Sequence, residues 1–267
     1  MTVRRAAVIG RPIAHSRSPQ LHLAAYAALG LHDWSYERLE CAADGVPALL
    51  SSRGPDWVGF SVTMPAKAAA LAVADVRTPR AAAVGAANTL VRTDDGWLAD
   101  CTDVDGVLGG LGTDGLAGTH AVLLGAGGTA RAAVVALAAA GARAVTMVVR
   151  DRARAQATVD CAERIGLQTT TAPFGRAAVA AACRDAAVAI STVPPAAVTP
   201  FVEALATVPK VLDVIYDPWP TPLATAVLAA GGTLASGLDM LLHQAFGQVE
   251  LFTGLPAPRE AMAAALR

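Results

Sequence analysis

Apolar and polar positions change their period several times along this chain, and each change marks an element. In WVGFSVTMPAK, residues 57–67, Val58, Phe60 and Val62 alternate with Gly59, Ser61 and Thr63, the period of two that predicts a strand. Pro65 ends it, because proline has no N–H for a sheet ladder, and Lys67 follows at the head of an Ala run. RAAVIG and WSYERLE predict two earlier strands. Between them SPQLHLAAYAALG predicts a helix, with Ser18 as N-cap, Pro19 at the first helical position and Gly30 as terminator. A further helix is expected around DGVPALLSS. AANTLVRTDDGWLAD predicts a hairpin turning at Asp95-Gly96, and the block closes in the irregular, polar DCTDVDG.

From His120 the rhythm is different. HAVLLGAGGTARAAVVALAAAGA reads as strand, glycine turn and helix, and AVTMVVR as a second strand. DAAVAISTVPP, KVLDVIYDP and GGTLASG continue the alternation. Strands separated by helices in this way predict an α/β fold with a doubly wound parallel sheet. The stretch from Leu238 through MLLHQAFGQVELFTG to the C-terminus reads as helix with no strand after it.

Composition narrows the function classes. The 267 residues are 54% hydrophobic and 16% charged, enough apolar material for a large core and too little charge for a disordered chain. The longest apolar run, AAVVALAAAGA, is about half of the roughly twenty residues a membrane span needs, so a buried helix is expected there. A net charge of −1 without a Lys/Arg cluster argues against nucleic acid and leaves room for small anions. Cys41, Cys101, Cys161 and Cys183 are scattered, with no C-x-x-C pair and no neighbouring His. That pattern predicts neither a metal site nor a disulfide framework and suits a reducing cytoplasm. The apolar stretch after Arg5 stops at Gly10, so no secretory segment is expected.

The glycine turn carries the first candidate chemistry. Gly125-Ala126-Gly127-Gly128-Thr129-Ala130 fits the dinucleotide pattern: Gly125 for a tight turn, Gly127 for close approach of a pyrophosphate, and small Ala130 for close helix packing. The helix that follows would face the phosphates with its free N–H groups. At the end of the second strand, Arg150 and Arg154 suit a 2′-phosphate, which favours NADP(H) over NAD, while Asp151 pulls the other way. The plainer reading of that stretch is a solvated helix start with Asp151 as cap.

Other polar residues are ambiguous one at a time. Ser16 and Ser18 fit a carboxylate site or a turn and cap; Asn88 fits a turn, Asp103 a helix cap, and Lys67 a solvated helix residue. Together, PIAHSRSPQLH, SVTMPAK, GAANTL, CTDVDG, GAGGTARAA, DVIYDPWPTPL and GLDMLLHQAF resemble the shikimate dehydrogenase family, and closely its actinobacterial members, over essentially the whole chain.

The resemblance implies two α/β domains: a substrate domain over 1–103 completed by helices in 238–267, and a Rossmann-like dinucleotide domain over 104–237. It implies a cytoplasmic enzyme performing reversible NADPH-dependent reduction of 3-dehydroshikimate to shikimate, on the route to chorismate and the aromatic amino acids. Ser16 and Ser18, with Tyr216, would bind the substrate carboxylate; Thr63, Asn88 and Gln244 would hold ring hydroxyls. Lys67 and Asp103 would be the catalytic pair, Val214 would bind the cofactor, and Gly237 would lie against the nicotinamide. Ser61, Leu23 and Cys101 stand where the family commonly has Asn, and Val149-Arg150-Asp151 replaces its usual Asn-Arg-Thr. The expected partner is a small anionic substrate, with neither nucleic acid nor membrane, and a homodimer is left open. Competing readings are a quinate or aminoshikimate dehydrogenase on the same scaffold, and a non-catalytic NADP-binding protein.

Overall fold

Two runs of fully buried small and branched residues, Ala6–Ile9 and Ala121–Leu124, become the inner strands of two separate sheets. The computed structural model describes residues 3–266; Met1, Thr2 and Arg267, which fall inside the expected substrate domain, lie outside the described residues. The chain divides into two compact units, one of residues 1–102 with 242–267, the other of 103–241.

In the first unit, β1 (Arg4–Gly10) leads to α1 (Ser18–Ala28) and β2 (Trp34–Glu40), then α2 (Val46–Ser51), β3 (Trp57–Val62), α3 (Lys67–Val73) and β4 (Val76–Arg77). A short α4 (Pro79–Val84) precedes the hairpin β5 (Thr89–Thr93) and β6 (Gly96–Asp100). The six-stranded sheet runs β2-β1-β3-β5-β6-β4, with β1 parallel to β2 and β3, and β5 antiparallel to both β3 and β6. One face is packed by Phe60, Leu90, Trp57 and Trp97, with Trp57 stacked on Phe60 at 5.1 Å. Burying an aromatic or branched side chain of this kind contributes about 1.5–3 kcal/mol.

In the second unit, α5 (Asp103–Leu111) precedes β7 (His120–Leu124), α6 (Gly128–Ala139), β8 (Ala144–Val149), α7 (Arg152–Arg164) and β9 (Gln168–Pro173). There follow α8 (Arg176–Cys183), β10 (Ala186–Ser191), the short α9 (Pro195–Val198) and α10 (Val202–Leu205), β11 (Lys210–Asp213), α11 (Pro222–Ala229) and β12 (Thr233–Ser236). The sheet is parallel throughout, in the order β12-β11-β10-β7-β8-β9. That is a doubly wound sheet whose direction of winding reverses between β7 and β10, the position where such sheets open a crevice for a ligand. The helix α12 (Gly237–Thr253) passes from the second unit into the first after Leu241, and α13 (Arg259–Ala264) ends the described chain.

Two local expectations are corrected, and one strand lies where no expectation was made. Ser18 is the first helical residue of α1 and does not cap it; Arg17 occupies the cap position without a side-chain capping bond, and the Ser18 N–H is instead taken by the Ser16 hydroxyl at 3.3 Å. The hairpin turns at Asp94-Asp95, one residue early: Gly96 pairs with Thr93 as the first residue of β6, and its φ of 110° supplies the twist only glycine adopts freely. The strand β9 was not foreseen at all. Its sequence, QTTTAP, has hardly an apolar residue because it is the sheet edge, paired on one side only.

Candidate active site

Ser16, Ser18, Thr63, Lys67, Asn88 and Gln244 all belong to the first unit, at the carboxyl ends of β1 and β3 and along α12. The backbone holds several of them in register. Val62 N–H donates to the Asn88 carbonyl at 2.6 Å, Thr63 N–H to the Ile9 carbonyl at 2.8 Å, and Ala87 N–H to the Lys67 carbonyl at 3.0 Å. The first turn of α3 is thereby pinned beside Asn88. Pro65 follows a cis peptide bond, and Lys67 opens α3 half-buried.

Asn88 is buried, and its amide has one possible orientation. Thr102 N–H donates to Asn88 Oδ1 at 2.7 Å, so the NH2 end must face the other way, where it donates to Gln244 Oε1 at 3.1 Å and Thr102 Oγ1 at 2.9 Å. The Gln244 oxygen accepts from Asn88, which fixes which end of that amide faces Asn88. Ser16 donates to Ser18 Oγ at 3.2 Å. Burial pushes the Tyr36 phenol well above its ordinary range, only partly offset by its hydrogen bond with Ser61. His22 stacks on the Tyr36 ring at 4.0 Å, and burial lowers its pKa to about 3, only partly offset by its hydrogen bond with Gln248.

The second unit holds Asp103, buried at the start of α5, and the nucleotide features. Gly125 follows β7 with φ 102°, and any Cβ there would collide with the Thr192 hydroxyl and Val193, which lie just after β10. At Gly127 the space around a Cβ is open, as a close-approaching pyrophosphate requires. Gly128, Thr129 and Ala130 form the first turn of α6, and Thr158 of α7 donates to the Ala126 carbonyl at 2.9 Å, turning it away from the crevice. A cavity of about 490 Å³ is lined by Gly125, Gly127, Arg150, Asp151 and Arg154 among others. Asp151 caps α7, accepting from Ala153 N–H at 2.9 Å and Arg154 N–H at 3.3 Å, and lies 3.4 Å from the Arg154 guanidinium. The plainer reading of Asp151 therefore holds, and its charge is engaged by its own helix. The glycine cradle, the cavity and the two arginines fit a dinucleotide bearing a 2′-phosphate.

Val214 and Tyr216 lie on the loop after β11. Asp213 fixes that loop, accepting from Thr221 Oγ1 at 2.7 Å and Ile215 N–H at 3.3 Å. Burial raises the Asp213 pKa, and these two bonds oppose the rise. Gly237 N–H donates to the Ile215 carbonyl at 3.3 Å, and a Cβ on Gly237 would strike the Val214 carbonyl. Tyr36, Ser61, Thr102, Thr158 and Gln248 have no place among the sequence-derived candidates, except that Ser61 marks a departure. Gln248 did leave a signal: it lies one helical turn beyond Gln244, on the same face of α12.

The profile of the shikimate dehydrogenase substrate binding domain matches residues 8–90, and that of the shikimate 5′-dehydrogenase C-terminal domain matches residues 237–267. A shikimate dehydrogenase (NADP(+)) of Methylobacterium radiotolerans is 39% identical, the match covering 96% of this chain and 93% of the relative. Among solved structures, shikimate dehydrogenase of Mycobacterium tuberculosis is 58% identical with a TM-score of 0.94 and covers 98% of both chains. The Thermus thermophilus shikimate 5-dehydrogenase in complex with NADP(H) and shikimate is 30% identical, with a TM-score of 0.79 over 98% of both chains.

Proposed function

This chain belongs to the shikimate dehydrogenase family, and from that premise we propose how its two units divide the work. It catalyses the reversible, NADP-dependent interconversion of 3-dehydroshikimate and shikimate. The observation that most supports the assignment of anchors is the Asn88–Gln244 hydrogen bond, 3.1 Å between residues 156 apart in the chain, which assembles a donor set of the kind a polyhydroxylated ring requires.

In this reading Ser16 and Ser18 donate to the substrate carboxylate, with Tyr216 assisting, while Thr63, Asn88 and Gln244 hold ring hydroxyls. NADP(H), when bound, supplies or takes up the hydride. Lys67 holds the proton at the ketone oxygen: as ammonium it donates during reduction, and as amine it accepts during oxidation. General acid–base help of this kind is worth about 10²–10⁴-fold. Asp103 is the second member of the catalytic pair and binds the neighbouring hydroxyl. Residues 125–130 seat the pyrophosphate, Arg150 and Arg154 hold the 2′-phosphate, and Val214 and Gly237 border the nicotinamide.

The cytoplasm is the compartment that four buried cysteines without a disulfide suit, and no helix of the described residues is long and apolar enough to cross a membrane. Following NADPH absorbance with shikimate as substrate tests the function directly. Robust turnover with NADP is expected. Faster turnover on quinate or with NAD would transfer the reading to the sister activity, and NADPH binding without oxidation of either acid would leave a non-catalytic dinucleotide binder.

A further inference from the structure

Three of the four residues from Gly125 to Gly128 are glycine, so the backbone of this turn does little by itself to fix how its peptide planes face. The restraint comes from outside the turn. Thr158, in the middle of α7 and 0% exposed, donates its hydroxyl to the Ala126 carbonyl at 2.9 Å. From the other side Thr192 holds the Leu124 carbonyl, through its N–H at 3.0 Å and its hydroxyl at 2.8 Å.

The peptide between Ala126 and Gly127 is trans, so its carbonyl and its N–H point in opposite directions. With the oxygen turned to a buried hydroxyl, the Gly127 N–H is turned the other way. Gly127 is exposed and lines the cavity, a Cβ there would meet nothing within 4 Å, and its N–H has no acceptor among the described residues. Were this plane to rotate, a carbonyl oxygen with its partial negative charge would replace that donor and face an anionic ligand.

We propose that Thr158 is a positioning residue for the dinucleotide: by holding the Ala126 carbonyl inside, it presents the Gly127 N–H to a pyrophosphate oxygen. This rests on the reading of residues 125–130 as the pyrophosphate seat. Thr158 also lies one helical turn beyond Arg154 on the same face of α7, so an effect through the helix has to be separated from an effect through the turn.

Thr158→Val keeps the shape and removes the hydroxyl. The dissociation constant for NADPH, from fluorescence titration, should rise about three- to tenfold, with the shikimate KM unchanged. Adenosine 2′-phosphate carries the group assigned to Arg150 and Arg154 but no pyrophosphate; as a competitive inhibitor it should bind the variant and the parent equally. Thr158→Ser keeps the hydroxyl and should bind NADPH as the parent does. An unchanged NADPH affinity in Thr158→Val, whatever its unfolding midpoint, would overturn the proposal, because a merely structural threonine would give that result. Equal weakening of NADPH and adenosine 2′-phosphate would also overturn it, since the effect would then run through α7 and Arg154. Should Thr158→Val fail to fold, Thr158→Ala makes the same comparison. Gly127→Ala tests the seat separately. With φ at −85° and open space around its Cβ it should fold, and it should weaken NADPH about tenfold or more by blocking the close approach. An unchanged affinity in that variant would sink the seat reading and the role of Thr158 with it, whereas a weakened Gly127→Ala beside a normal Thr158→Val would sink the role of Thr158 alone.

Discussion

Lys67 stands where the backbone has already settled its direction, at the first turn of α3 with its carbonyl tied to Ala87 N–H. Removing the side chain should leave that turn in place. Lys67→Ala is therefore expected to lower kcat by about 10²–10⁴-fold while the shikimate KM changes little, as steady-state kinetics in both directions would show. A variant with near-normal turnover would take Lys67 out of the chemistry. Asp151 offers a finer case. Serine caps a helix about as well as aspartate, so Asp151→Ser should keep α7 while removing a negative charge beside Arg150 and Arg154. The KM for NADP should fall about threefold with no change in the unfolding midpoint, whereas Arg150→Ala should raise it about tenfold or more. An Asp151→Ser enzyme with an unaltered NADP KM would mean that its helix has already neutralised the carboxylate.

The loop after β11 depends on Thr221, which caps α11 through Ala224 N–H at 3.0 Å and donates to the buried Asp213. Thr221→Val removes both bonds while keeping the shape, and should cost about 1–3 kcal/mol in urea unfolding. Such elements were unevenly legible in the sequence. The strands β7 and β8 and the turn between β7 and α6 could be read because their apolar runs and glycines are local signals. The strand β9 could not, because an edge strand needs few apolar side chains and QTTTAP shows almost none. Ser18 differs for a related reason: a serine before proline and helical sequence looks like a cap, yet its hydroxyl accepts from Ser16 and leaves the helix start uncapped. The candidate site divides the same way. Glycines, serines and lysine sit in short motifs, whereas the Gln248–Asn88 contact joins positions 160 apart and exists only once α12 lies on β5.

In the first unit two groups weaken the folded state in acid. His22 is held neutral, with its pKa lowered by burial to about 3, whereas in the unfolded chain it titrates near 6.5. Between those values only the unfolded chain binds the proton, so the stability from His22 is fully present above about pH 6.5 and is lost as the pH falls toward 3, at up to about 1.4 kcal/mol per unit. Asp100 is raised by burial but lowered on balance by its bonds with Arg80 and Thr78, so its share is present above about pH 3.9 and is lost as pH falls through its depressed folded value. Urea unfolding followed by tryptophan fluorescence should show stability declining from about pH 6.5 downward. The decline between 6.5 and 4 should be shallower in His22→Phe, which keeps the stack on Tyr36. An equal slope in both proteins would exclude His22 as its source.

Gln244, Gln248 and Phe252 recur every fourth residue of α12, so one stripe of that helix meets Asn88, then Ser61 and Thr89, then the close approach at Gly59. Losing one residue ahead of the stripe would swing it by about 100° and present Ala245, Val249 and Thr253 in its place. A chain so shifted could still coil into a helix, yet it would misplace all three contacts at once. Among related sequences, gaps should therefore gather in the surface loops and be absent from this span, and an alignment that opens one here has slipped.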